Sequence, residues 1–132
     1  LMTLRLSRLL SESRVRAKFA SATMPRLHFA DTSFRTGYYP VQPPCGIGAE
    51  AAGEVVAVGE GVTNVSPGDR VSYNGGPLGA YSTERVMPAA PLLKLPDSVS
   101  YETAAASTMR GLTAVYWMMK ADPRLKAGDT IL

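Results

Sequence analysis

The sequence predicts a mainly β chain that finishes in helices, an α+β fold, and three observations carry that prediction. Between Leu27 and Val99, short apolar runs alternate with Gly, Pro, Asn and Asp at intervals of roughly eight to twelve residues, the texture of a compact barrel or sandwich. After Ser100 the period changes, and YETAAASTM supplies good helix formers. Before Leu27 lies a segment of different composition, rich in Arg, Ser and Leu and poor in acids.

The elements follow in order. Leu1 to Arg26 has the make-up of a mitochondrial transit peptide or of a non-native leader, with Leu4, Leu6, Leu9 and Leu10 partly sharing one helical side. Within it, SRVRAKF has the look of a strand remnant. Ala51 to Val58 (AAGEVVAV) alternates loosely and has the β-branched residues of a strand. Pro67-Gly68-Asp69 forms a tight turn into the half-buried strand Arg70-Val71-Ser72-Tyr73. Gly79 to Val86 (GAYSTERV) reads as a further strand, and LLKLP holds a last short one. Ser100 is the expected N-cap of a helix that Gly111 interrupts, and LTAVYWMMK resumes it as a second helix, which Pro123 breaks. Lys126 to Leu132 leads into a strand. The expected organisation is therefore a leader over 1–26, a β domain over 27–99 and a helical connection over 100–132.

Charge and composition exclude several classes. The net charge of +3 is unevenly spread. Six basic residues (Arg5, Arg8, Arg14, Arg16, Lys18 and Arg26) stand against Glu12 up to Arg26, whereas eight basic and ten acidic residues follow. No Lys/Arg cluster sits in the β portion, so no nucleic-acid partner is expected. No apolar run approaches the roughly 20 residues of a membrane span, so no membrane partner is expected either. Cys45 is the only cysteine and His28 the only histidine, too few for a zinc site, which takes about four N or S ligands. A cytoplasmic location is expected, or a mitochondrial one if the basic leader is a genuine transit peptide.

Five stretches, in order and at ordinary spacing, carry a resemblance: HFADTSFRTGYYP (His28–Pro40), GIGAEAAGEVVAVGEGV (Gly46–Val62), PGDRVSY (Pro67–Tyr73), GAYSTERV (Gly79–Val86) and LPDSVSYETAAASTMRGLTAVYWM (Leu95–Met118). Together they resemble the zeta-crystallin-like, zinc-free quinone oxidoreductases of the medium-chain dehydrogenase/reductase superfamily. That resemblance implies a GroES-like twisted β-barrel, here incomplete, followed by helices that lead to a Rossmann domain. No glycine-rich phosphate loop occurs in these 132 residues, so the chain reads as truncated before that domain and inactive alone. The resemblance also implies NADPH as cofactor of the full-length enzyme, no metal, a small-molecule quinone or enone as substrate, and a homodimer. Zinc alcohol dehydrogenases of the same superfamily place Cys where His28 stands and His where Ala49 stands.

Site residues follow by position. Phe29, Ala30, Asp31, Thr32 and Ser33 would line the nicotinamide side of the cleft; Asp31 and Thr32 equally suit the cap of a turn or helix. His28 replaces the family's usual Asn and is read as a hydrogen-bonded pocket residue, catalytic with Tyr39. Ser33 falls where many members have Tyr and would widen the acceptor pocket. Tyr39 could stack on a flat quinone and donate to a developing quinol oxygen. Thr113, in the signature Arg110-Gly111-Leu112-Thr113, would contact the nicotinamide amide or ribose. Glu50 is a candidate polar anchor beneath the site. The leading expectation is hydride transfer from NADPH to a quinone or related conjugated carbonyl without zinc. An enoyl reductase and a non-catalytic GroES-like interaction module are the alternatives.

Overall fold

The computed structural model describes residues 14–19, 28–121, 124 and 126–130 of the chain, the first six by their backbone. Five strands form one antiparallel sheet: β1 (Arg14–Phe19), β2 (Glu50–Val58), β3 (Arg70–Asn74), β4 (Glu84–Pro88) and β5 (Leu93–Lys94), in the order β4-β1-β2-β3-β5. Two α-helices accompany them, α1 (Phe29–Thr36) and α2 (Tyr101–Tyr116), and α2 runs into a π-helical turn over Trp117–Ala121.

Strand alternation sorts β2 into two faces. Ala51 and Val55 point into the main core with Val65, Val71, Tyr73, Ala80, Met87, Ala89 and Leu92. Ala52 points the other way, against Ala104 and Ala105 of α2. Its register partner Ser72 faces α2 as well and accepts a hydrogen bond from Thr108 Oγ1 at 2.9 Å. Small residues on both sides let the helix approach the sheet closely. Arg70 fastens the entrance of α2: its guanidinium donates to the carbonyls of Pro96, Asp97 and Val99 at 3.2, 3.2 and 2.6 Å and lies 4.6 Å from the centre of the Tyr101 ring. Ser100 caps the helix, its Oγ accepting from Thr103 N–H at 3.1 Å.

Four expectations are corrected. Arg14–Phe19 is not leader but a sheet strand, paired with both β2 and β4. The transit-like reading otherwise falls on residues outside the described ones. HFADTSFR is itself helical, so helices are not confined to the C-terminal end. Gly79 to Thr83 is not strand, because its N–H groups turn inward: those of Gly79 and Ala80 donate to Gly48 O at 2.9 and 3.1 Å, and that of Tyr81 to Ile47 O at 3.1 Å. Gly111 does not divide the last helix, since it sits on an exposed face and costs only about 1 kcal/mol relative to Ala. At the end, Lys126–Thr130 forms a turn closed by Lys126 N–H on Asp129 Oδ2 at 2.8 Å, and the last two residues lie outside the described ones.

Candidate active site

α1 has one fully buried residue, Asp31, and half-buries Ala30, Ser33 and Phe34. Its ends are set by polar groups. Asp31 Oδ2 accepts the N–H of His28, the residue before the helix, at 2.8 Å. Gly37 stops the helix in the left-handed region at φ 79°, where a side chain would be strained. The chain then folds back, with Tyr39 N–H on Ser33 O at 3.2 Å. Three rings follow one another along this return, Phe34 to Tyr39 at 5.5 Å and Tyr39 to Tyr38 at 5.2 Å between centres.

This turn of chain makes an open pocket of about 520 Å³ lined by Phe29, Ala30, Thr32, Ser33, Thr36, Tyr38 and Tyr39. Phe29 is 86% exposed and Tyr39 46%, so both rings are available to a ligand. Hydroxyls lie between them: Thr32 Oγ1 donates to Phe29 O at 2.6 Å and keeps its lone pairs for a donor from outside.

Behind the pocket lies a buried polar cluster. Glu50 opens β2 two residues before Ala52 and therefore shares its face, beneath α2. Its Oε1 accepts Met109 N–H at 2.6 Å. Its Oε2 stands 3.3 Å from His28 Nε2, close enough for an ion pair when the imidazole carries a proton, yet off hydrogen-bond geometry. Asp31 Oδ1 is likewise buried without a hydrogen-bond partner, while Oδ2 takes the Tyr81 hydroxyl at 2.9 Å. Loss of solvation pushes the Tyr81 phenol up to about 12, and the hydrogen bond and charge of Asp31 add to the rise. In the main core, burial raises the Tyr73 phenol against the opposing pull of Arg85.

Five of the residues expected at the nicotinamide side or the acceptor, Phe29, Ala30, Thr32, Ser33 and Tyr39, meet in the pocket. Asp31 does not: it points inward, as the capping alternative had it. His28 sits behind the pocket beside Glu50 rather than in its lining, and Glu50 is an anchor to α2. Thr113 is exposed on α2, one turn beyond Met109, with its hydroxyl donating to Met109 O at 2.8 Å, and does not line the pocket. Sequence reading missed Thr36, Tyr38 and Tyr81. The Tyr38-Tyr39 doublet was visible; nothing in the sequence tied Tyr81 to Asp31. Among the described residues no group of three His, Cys, Asp or Glu side chains could hold a metal ion. No helix among them is long and apolar enough to cross a membrane. The donor set instead suits a flat conjugated molecule: aromatic faces, small hydroxyls and no fixed charge in the lining.

With sheet, helices and pocket in place, the class of the domain follows: the chain belongs to the alcohol dehydrogenase GroES-like domain family, whose model matches residues 14–97. Within that family it is similar to the quinone oxidoreductase of Pseudomonas aeruginosa, 48% identical over 107 residues that make up 80% of this chain and 33% of the relative. A 2-haloacrylate reductase of a Burkholderia species is 38% identical over 112 residues, again 80% of this chain and 33% of the relative. Among solved structures it resembles the Escherichia coli quinone oxidoreductase complexed with NADPH, with a TM-score of 0.78 at 38% identity over 86% of this chain and 34% of that one. The chain thus spans about a third of the length of the curated relatives it matches.

Proposed function

We propose that this chain forms the acceptor-side wall of the active site of an NADPH-dependent quinone oxidoreductase. The observation that carries this reading is the convergence of Phe29, Ala30, Thr32, Ser33 and Tyr39 on one open pocket. When bound, NADPH supplies the hydride. The chain's own part is placement: Phe29 and Tyr39 offer ring faces to flat partners, and Ala30 and Ser33 leave room between them. The Tyr39 hydroxyl donates a hydrogen bond to the acceptor's carbonyl oxygen, where negative charge grows, and the open mouth admits water as the proton source. No charged group of the lining has to be desolvated for a neutral quinone to enter. Likeness to a 2-haloacrylate reductase supports a second reading, in which the acceptor is a conjugated acid or enone and Ser33 receives its carbonyl group.

A chimera tests both readings. Residues 14–121 would replace the matching segment of the Pseudomonas aeruginosa quinone oxidoreductase, and NADPH oxidation would be followed by absorbance with 1,4-benzoquinone and with 2-chloroacrylate. Quinone turnover, reduced about tenfold or more by Tyr39→Phe, is the expected outcome. Preference for the acrylate would select the second reading, and a folded chimera active with neither acceptor would exclude both.

A further inference from the structure

Resting on that functional reading, we propose that Tyr81 is a positioning residue for the pocket: through Asp31 it holds the first turn of α1 in the pose that presents Phe29, Thr32 and Ser33 to the acceptor. α1 buries no apolar side chain fully, and only Ala30 and Phe34 are half-buried, so hydrophobic packing alone fixes its pose weakly. Its attachment runs through Asp31, whose Oδ2 gathers the His28 N–H at 2.8 Å and the Tyr81 hydroxyl at 2.9 Å. The first of these bonds is local to the turn; the second reaches across fifty positions of sequence to another loop. Tyr81 is the fixed end. Its N–H donates to Ile47 O at 3.1 Å, and its neighbour Ala80 is buried in the main core.

The ring of Tyr81 is seated on Gly48. A Cβ at that position would come within 2.5 Å of the ring, and Gly48 has φ +87°, so the close approach requires glycine there. The phenol's raised titration keeps it a protonated donor throughout the neutral range. Asp31 is buried and its other oxygen has no hydrogen-bond partner, so losing the Tyr81 bond leaves this carboxylate with a single short tie. Phe29, Thr32 and Ser33 lie on the opposite side of the same turn, and any rotation of Asp31 swings them.

Tyr81→Phe keeps the ring on Gly48 and removes only the hydroxyl. In the full chain, amide hydrogen exchange is expected to quicken about tenfold across α1 and to stay unchanged at Ala52, Val55 and Val71, the pattern of one lost hydrogen bond to a local segment. In the chimera, KM for 1,4-benzoquinone is expected to rise about tenfold with kcat held within about twofold. Unchanged exchange in α1, or a rise spread evenly through the sheet, would overturn the proposal. Faster exchange in α1 with an unchanged KM would also overturn it, because α1 would then move without consequence for the acceptor. If the wild-type chimera turns over no quinone, the functional reading fails, and the exchange experiment still decides whether Tyr81 holds α1.

Discussion

The two helices lie on one small domain and are held in opposite ways. α2 is long, rests Ala104 and Ala105 on Ala52, and adds hydrogen bonds from Thr108 to Ser72 and from Met109 to Glu50. α1 is half its length, buries a single carboxylate and keeps Phe29, one of its two phenylalanines, in solvent. Apolar contact is non-directional and survives small shifts, whereas a carboxylate with two donors fixes a geometry and fails when either donor leaves. A helix held by packing serves as foundation. One held by a few hydrogen bonds serves as an instrument, aimed where the pocket needs it and released at small cost to the whole.

The sharpest way to break this contrast is to attack the seat of α2. Ala52→Leu forces a branched side chain into a fully buried gap between sheet and helix and is expected to cost about 3 kcal/mol. A fall of the melting temperature by about 10 °C or more on a calorimetric scan would register it. Next comes Glu50→Ala, which removes the carboxylate bonded to Met109 N–H and takes away His28's neighbour, at about 2 kcal/mol. Glu50→Gln retains an acceptor and is expected to recover much of the loss; equal destabilisation by both variants would show that charge, not the bond to α2, dominates.

Asp31→Ala aims at α1 alone. Global stability is expected to fall by about 1 kcal/mol or less, while circular dichroism loses helix signal and α1 amides lose protection. A large drop in melting temperature would mean that α1 is as much foundation as α2, and the contrast would collapse. The smallest effect belongs to a pair outside both helices. Lys94 Nζ lies 2.7 Å from Asp69 Oδ2, and this bond, with the Ser66 N–H, holds the Asp69 carboxyl below its ordinary 3.8. A folded value below the unfolded one contributes stability that is complete above pH 3.8 and lost as pH falls through the folded value. Both side chains remain open to water, so the loss is slight. Acid titration of Asp69→Asn is expected to lack that last increment of stability, and an identical acid limb for both proteins would show that the pair contributes nothing.

What the sequence could reveal follows the same division. β2 and β3 were legible because alternation reports burial on a sheet, and Ser100 because an N-cap is a local signal. Glu50 is named as a polar anchor by its position in the resemblance, while the legible strand starts one residue later, at Ala51; the tie of Glu50 to Met109 is long-range and leaves no local signal. α1 went unread because eight residues, with Phe29, Ala30 and Phe34 as the only apolar ones, are too short a window for a helical period to stand out. Gly111 misled in the other direction: exposed glycine lowers helix stability without ending a helix whose inner face is already packed. Gly79–Thr83 looked like strand within its own window and is loop because its backbone donors are claimed by Gly48 and Ile47, carbonyls more than thirty positions away. Tyr81 was invisible for that reason too. Long-range hydrogen bonds are made by the fold, and no window of neighbouring residues contains both ends.

The place of β1 in the sheet has a consequence for the newborn chain. Arg16 pairs with Ala57 on one side and with Val86 on the other. The first of the described strands to be made therefore acquires its second neighbour only after most of the described domain has been made. Until then one of its edges stays open, with unpaired N–H and C=O groups able to recruit strands from other chains. The exposure of β1 is thus confined to a window of synthesis, which closes when Glu84–Pro88 arrives.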